Sequence, residues 1–203
     1  LIKLAQPLAP GKQLTLTTPF IVKIPSGSIS RLGHIGQSYQ ITQWYPKPAV
    51  FDYKGWHPIP YLNQGEFYSE YGSFDVSITV PKNYVVGATG VLQNASEASF
   101  LDSLAQDTKT RISEIIALPG GNLRDSFPPS ASEWKTLRYV QDKVHDFAWF
   151  TDKRYKILKG SVKLPESGRE ITTWVMFTNE QAKLWKDAQQ YVFDAILFFS
   201  KHV

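Results

Sequence analysis

Histidine and cysteine are the first residues to consider for metal or nucleophilic chemistry, because imidazole and thiolate are common ligands of zinc. The sequence has four histidines, which are followed in chain order by Ile, Pro, Asp and Val. None of them therefore begins an HExxH pattern. Cysteine is absent, which excludes disulfides, thiolate zinc sites and a cysteine nucleophile. The sequence therefore predicts no catalytic residue and no metal ligand in this chain.

Paired carboxylates are the next candidates, since two of them on neighbouring strands can serve as acid and base at a glycosidic bond. Four-residue spacings occur at Glu66 with Glu70 and at Asp142 with Asp146. Side chains four apart in a strand lie on one face. Surface charge is the simpler interpretation of both pairs, and we expect it here.

Aromatic rings are concentrated in TQWYPKPAVFDYKGWHPIPY, residues 42–61, with two Trp, three Tyr and one Phe. Such rings can stack on sugars, and Trp56 with its neighbouring tyrosines would be the platform of a carbohydrate-binding module. They can equally pack on a sheet and against a partner domain. A carbohydrate-binding module and a scaffold or adhesion module both remain alternatives at this point.

Composition indicates a globular chain, with 42% apolar residues and a formal net charge of +4. No run of five or six basic residues is present, so we expect no nucleic-acid partner. The longest apolar run, Ala195–Phe199, is too short to span a bilayer. The N-terminus lacks the layout of a signal peptide and has no initiator Met, so we interpret the chain as a processed or engineered fragment.

Period-two patterns dominate and predict a mainly β fold. We expect strands at Phe20–Ile24 and Tyr39–Gln43, and an antiparallel hairpin formed by FDVSITV and VVGATGVL around a PKN turn. FDVSITV should place Phe74, Val76, Ile78 and Val80 on one face. A second hairpin is predicted for YKILKGSVKL and REITTWVMF, with Gly168 in the turn.

One helix is predicted near residues 97–110, as a surface insertion between the sheet regions. Its apolar face repeats at helical spacing through Leu101, Leu104, Thr108, Ile112 and Ile115. Pro119–Glu133 is rich in Gly, Pro and Ser and predicts a loop. The insertion and loop together cover about residues 96–133.

A second helix is predicted for residues 178–203. Thr178 and Gln181 have capping-box spacing, and the YVFDAILFF stretch that follows is apolar nearly all round except at Asp194. A sheet covers only one side of a helix, so we infer a β-domain at residues 1–177 and the first helix of a second, missing domain at 178–203. An edge helix that dimerises is the alternative.

A family resemblance rests on two stretches, residues 30–94 and 134–157. They resemble the N-terminal β-domain of bacterial zinc aminopeptidases of the aminopeptidase N family. The most specific matches are QWYPKPAVFD, VPKNYVVGATG and the strand VHDFAWF, in that family's order. The resemblance implies a saddle-like antiparallel β-sandwich packed on a thermolysin-like catalytic domain whose first helix begins near Thr178.

The resemblance also implies what the chain does. It would be a non-catalytic part of an aminopeptidase that removes N-terminal residues from peptides, with zinc bound in the missing domain beyond Val203. Its partners would be its own catalytic domain and the peptide substrate. The compartment is open, with the bacterial periplasm or exterior as our expectation.

Gln43 and Tyr45 are the residues that the resemblance assigns to the substrate's N-terminal amine. Tyr45 stands where the family usually has Gln or Glu, and a tyrosine hydroxyl accepts a hydrogen bond but carries no negative charge. Strand alternation would place Gln43 and Tyr45 on one face and Trp44 on the other, in packing.

Overall fold

The protein is mainly β in the computed structural model, which describes residues 4–27, 31–60, 62, 68–117 and 126–202. Strand accounts for 34% and helix for 25%, so the predicted class is confirmed, with an inserted helix and a C-terminal helix. The strands are β1 (Gly33–Ile35), β2 (Ser38–Ile41), β3 (Val50–Asp52), β4 (Gly55–His57), β5 (Gly72–Pro81), β6 (Val85–Ala88), β7 (Val91–Leu92), β8 (Trp134–Val144), β9 (Trp149–Asp152), β10 (Lys156–Lys163) and β11 (Glu170–Phe177). The helices are α1 (Ala95–Ala117), α2 (Ala182–Trp185) and α3 (Ala188–His202), and a 3-10 turn occupies Asn179–Gln181.

These strands pair only antiparallel within the named ladders of the described residues. One sheet has the order β1-β2-β9-β6 and another the order β5-β8-β7, while β3-β4 and β10-β11 are two-stranded. The first two sheets share a core, because side chains from β5, β6 and β8 meet there. Its buried members are Ile78, Val80, Tyr84, Val86, Leu137, Tyr139 and Phe147.

Strand β5 directs its apolar side chains to one face, as predicted. Ile78 and Val80 are buried, Phe74 and Val76 are half-buried, and the residues between them are exposed. The hairpin predicted between β5 and β6 is wrong, since β5 pairs with β8 and β6 pairs with β9.

A turn at residues 81–84 takes the chain out of the β5 sheet. The amide of Tyr84 donates to the carbonyl of Pro81 at 3.0 Å, and the chain then enters the other sheet as β6. Val85 and Val86 are both buried, which requires packing on two faces of β6 rather than on the one face that a half-buried hairpin offers.

The hairpin predicted around Gly168 is confirmed. Strands β10 and β11 pair over their full length. Gly168 has φ +66°, a left-handed conformation that favours glycine, and its amide donates to the carbonyl of Leu164 at 2.9 Å.

Helix α1 is longer than predicted and packs on β10. Leu101, Thr108 and Ile115 are buried, as their helical spacing predicts. The hydroxyl of Thr108 donates to the carbonyl of Leu104 and accepts the amide of Ile157, so the helix is tied to the hairpin and is not only a surface element. In the predicted loop, residues 119–125 lie outside the described part, and 126–133 form neither helix nor strand.

The strand predicted at Phe20–Ile24 is not formed, although Val22 and Ile24 are half-buried and Ile21 is 98% exposed. Among the described residues of this N-terminal segment, the only bridge is the isolated parallel one between Ser26 and His34. Side-chain alternation is therefore present without a partner strand.

The C-terminal segment is a broken helix, with a turn between α2 and α3, rather than the single predicted one. Thr178 has extended N-cap angles, but its side chain makes no capping bond with any described residue. The amide of Gln181, which a capping box would direct to the Thr178 hydroxyl, donates instead to the Thr178 carbonyl at 2.9 Å. The capping-box prediction is therefore wrong.

Helix α3 keeps an uncovered apolar face. None of its described residues is buried, and Phe198 and Phe199 are 58% and 59% exposed. Val192 and Phe193 are half-buried, and a Cβ at Gly160 on β10 would lie 2.6 Å from the Phe193 ring. The predicted uncovered face is thus confirmed for the end of the helix. No helix within the described residues has the length and apolar character to cross a membrane.

The predicted domain boundary at residue 178 coincides with the end of β11. Ala182, just beyond it, is fully buried beside Ile115, Val175 and Phe177. The first residues after the boundary therefore help to cover the β10-β11 hairpin.

Candidate functional site

The segment from Thr42 to Ala49 leaves β2 as irregular chain. Gln43 has φ +50°, which turns the backbone out of strand geometry, and Pro46 and Pro48 have no amide to donate to a ladder. The prediction that Gln43 and Tyr45 share a strand face opposite Trp44 is therefore wrong.

Gln43 is half-buried and already bonded. Its side-chain oxygen Oε1 accepts a hydrogen bond from Nε of Arg31 at 3.1 Å. The side-chain amide of Gln43 is therefore engaged within the chain.

Trp44 packs, as the sequence predicts. Its Nε1 donates to the backbone carbonyl of Phe147 at 3.1 Å, and its ring lies 6.0 Å from that of Phe20. It also meets Tyr45 edge to face, with the ring centroids 5.4 Å apart. Trp44 and Tyr45 therefore lie on the same side of the chain and contact the same core.

Tyr45 contacts a carboxylate that the resemblance does not include. Its hydroxyl donates to Oδ1 of Asp146 at 2.8 Å, and its ring lies 5.5 Å from Phe74, edge to face. Burial, followed by the hydrogen bond to Asp146, raises the pKa of Tyr45 far above that of a free tyrosine. The hydroxyl therefore keeps its proton at neutral pH.

Asp146 lies in a short connection between β8 and β9, where the sequence predicts the continuous strand VHDFAWF. Lys143, near the end of β8, has φ +57°. The next residue after Asp146, Phe147, is 0% exposed in the core, and the amide of Ala148 donates to the hydroxyl of Thr89 at 3.1 Å. These anchors hold the half-buried Asp146 against Tyr45.

Asp142 and Asp146 do not share one face of a strand, although side chains four positions apart in a strand would do so. Asp142 is exposed in β8 and Asp146 lies beyond the end of that strand, so strand alternation does not relate them. Glu66 lies outside the described residues. The sequence predicts Asp146 only as a surface charge. No local pattern links Asp146 to Tyr45, because 101 positions separate the two residues.

The β3-β4 hairpin carries the exposed rings. Phe51 and Trp56 are cross-strand partners with ring centroids 5.0 Å apart, and they are 62% and 65% exposed. On the neighbouring positions, Asp52 accepts hydrogen bonds from His57 at 2.8 Å and Tyr68 at 3.0 Å. The bond with His57 is the main cause that lowers the pKa of Asp52.

A wide concave surface among the described residues lies elsewhere. It is an open groove of about 1480 Å³ that lies between β6-β7 and β11, with Gly87, Trp174 and Met176 in its lining. Neither Gln43 nor Tyr45 lines it. No three acidic or histidine side chains are grouped as metal ligands in the part of the chain that the structure describes.

No family model matches the chain, and neither the curated proteins nor the solved structures include a significant match.

Proposed function

We propose that this chain is the non-catalytic N-terminal β-domain of a zinc aminopeptidase, which packs on a catalytic domain and lines its substrate cleft. The proposal rests on the motif resemblance and on one structural observation that fits it. Helix α3 follows the β strands and leaves Phe198 and Phe199 more than half exposed.

The exposed face of α3 suits a domain interface. Fully burying a phenylalanine side chain contributes about 1.5–3 kcal/mol, so this face would contribute to docking against a second domain. The half of α3 that contacts β10 and β11 fixes the direction in which the uncovered face points.

Zinc would be bound by residues outside this chain. The sequence has no cysteine and no HExxH, and its four histidines lack metal-ligand spacing. These donors do not fit a catalytic zinc.

The nucleotide sequence of the natural gene tests this proposal. We expect codons beyond residue 203 to encode HExxH and a downstream Glu. A stop codon, or a linker followed by an unrelated domain, would contradict the proposal.

A carbohydrate-binding module is the second candidate, favoured by the exposed pair Phe51 and Trp56. Under this alternative, Trp56→Ala should abolish retention on an immobilised polysaccharide that retains the unaltered chain. Tyr71→Ala, at another exposed ring, is the matched control. If the unaltered chain is not retained on any polysaccharide tested, this alternative fails.

A further inference from the structure

We propose that a basic pocket between α1, β10 and the start of α3 binds a phosphate monoester that also carries a hydroxyl group. The pocket has a volume of about 440 Å³, which is in the range of small-molecule sites. Its polar lining residues are Asp102, Gln106, Lys109, Lys159, Lys186 and Gln189. The pocket is independent of the proposed aminopeptidase function, because none of these residues belongs to stretches 30–94 and 134–157, which carry the family resemblance.

The charges around the pocket favour an anion. Lys109 lies on α1, Lys159 on β10 and Lys186 in the turn between α2 and α3, and Asp102 is the one acidic residue among the described residues of the lining. Three positive charges and one negative charge leave a formal charge of +2. A phosphate monoester carries about −1.5 to −2 at neutral pH, so its charge complements that of the pocket.

Lys109 has no carboxylate partner among the residues that the structure describes. The two acids nearest to it along the chain, Asp107 and Glu114, both pair with Arg111, at 3.6 and 3.4 Å. The positions three and four residues from Lys109 on either side hold no acid. Its ammonium group is therefore available to a ligand.

The other two lysines have partners but keep free donors. Nζ of Lys159 lies 2.5 Å from Asp102, and Nζ of Lys186 lies 2.5 Å from Asp187. These side chains are 36–54% exposed, and such solvated pairs contribute little to stability. Each ammonium group donates up to three hydrogen bonds, so one aspartate contact leaves donors for the phosphate oxygens.

Gln189 provides the acceptor for the ligand's hydroxyl group. Its Nε2 donates to the hydroxyl of Thr173, while its Oε1 is buried and has no partner among the described residues. A buried oxygen without a donor is unfavourable, and a hydroxyl group in the pocket would satisfy it. Helix α3 approaches β10 closely at this point, since a Cβ at Gly160 would lie 3.1 Å from Cδ of Gln189.

Calorimetric titration of the 203-residue chain in a phosphate-free buffer tests the site with glycerol 3-phosphate, methyl phosphate and glycerol. We expect glycerol 3-phosphate to bind most tightly, and methyl phosphate to bind about threefold or more weakly because it has no hydroxyl group. Glycerol should not bind, because it has no charge. No binding of glycerol 3-phosphate, or equal binding of glycerol, would overturn the site.

Two lysine variants separate the pocket from the general charge of the protein. Lys109→Gln should weaken the binding of glycerol 3-phosphate by about tenfold or more, because a hydrogen bond between two charged groups is lost. Lys183→Gln is the matched control, since Lys183 is an exposed residue of α2 that does not line the pocket. Equal weakening in the two variants would show an adventitious ion only and would overturn the site.

Gln189→Leu tests the contact with the hydroxyl group. It should remove the preference for glycerol 3-phosphate over methyl phosphate while the binding of methyl phosphate is kept. A preference that persists in Gln189→Leu would contradict the assignment of the hydroxyl group to Gln189.

Phosphate monoesters occur on soluble molecules and on the lipid phosphatidic acid, and co-sedimentation with vesicles of phosphatidylcholine and phosphatidic acid distinguishes the two sources. Sedimentation that Lys109→Gln abolishes would assign the phosphate to a lipid head group. A chain that binds glycerol 3-phosphate but does not sediment would have a soluble ligand. Equal sedimentation of the unaltered chain and Lys109→Gln, without calorimetric binding of glycerol 3-phosphate, would overturn the site.

Discussion

The hydroxyl of Tyr45 lies 2.8 Å from the carboxylate of Asp146, although 101 positions separate the two residues. This bond joins the irregular segment after β2 to the connection between β8 and β9. It therefore contributes to the fold.

Tyr45→Phe should destabilise the protein by about 1–2 kcal/mol, because it leaves a half-buried carboxylate without its hydroxyl partner. Urea unfolding measures the change. The control is Tyr71→Phe, at a tyrosine that is 73% exposed, which should have a much smaller effect. Equal losses in both variants would show that the bond to Asp146 does not stabilise the fold.

The protein should lose stability in alkali. Burial raises the pKa of Tyr155 to about 12 and raises the pKa values of Tyr45 and Tyr139 as well. A group whose pKa is higher in the folded than in the unfolded state stabilises the folded protein. The contribution is complete below the pKa in the unfolded state, about 10 for tyrosine, and is lost as the pH rises towards the pKa in the folded state.

Above about pH 10, the urea concentration at the midpoint of unfolding should therefore decrease as the pH rises. The decrease should be less steep in Tyr155→Phe than in the unaltered protein. Tyr53→Phe, at a side chain that is 90% exposed, is the control and should retain the full slope. Identical slopes in the two variants would contradict the role of Tyr155.

Lys135→Met should destabilise the protein by about 3–5 kcal/mol, because it leaves the carboxylate of Glu97 buried without a cation. Their side chains are 14% and 9% exposed and lie 2.6 Å apart, which ties α1 to β8. The double variant Glu97→Gln, Lys135→Met should recover most of the loss.

The exposed pair Lys82 and Glu133 provides the control for this prediction. Its side chains are 65% and 70% exposed, so Lys82→Met should change stability little. A double variant no more stable than Lys135→Met alone would contradict the buried pairing of Glu97.

Local features of the fold could be predicted from the sequence because neighbouring residues determine them. The Gly168 turn, the alternation of β5 and the buried stripe of α1 each depend on side chains a few positions apart. These patterns also gave the mainly β class.

Strand partners and site contacts could not be predicted in the same way. Periodicity shows which face of β5 is buried but not that its partner is β8, more than fifty residues away. The left-handed turn at Gln43 has no local signal either, since Gln rarely adopts φ +50°. For this reason the sequence does not predict the contact between Tyr45 and Asp146.

Replacing Phe198 and Phe199 together by Ser should reduce binding of a hydrophobic dye while leaving the urea midpoint unchanged, because both rings are exposed. Val192→Ser is the contrasting variant. Val192 packs against the cluster of Val175 and Phe177, so its loss should lower the midpoint. Unchanged dye binding in the Phe198, Phe199 variant would contradict an uncovered face on α3.

The proposed function is tested by aminopeptidase turnover of the full natural gene product, with alanine p-nitroanilide and its N-acetylated form as substrates. If the chain is the β-domain of a zinc aminopeptidase, we expect zinc-dependent release of p-nitroaniline from the free-amine substrate alone. No turnover of the free-amine substrate, or equal turnover of both, would contradict the proposed function.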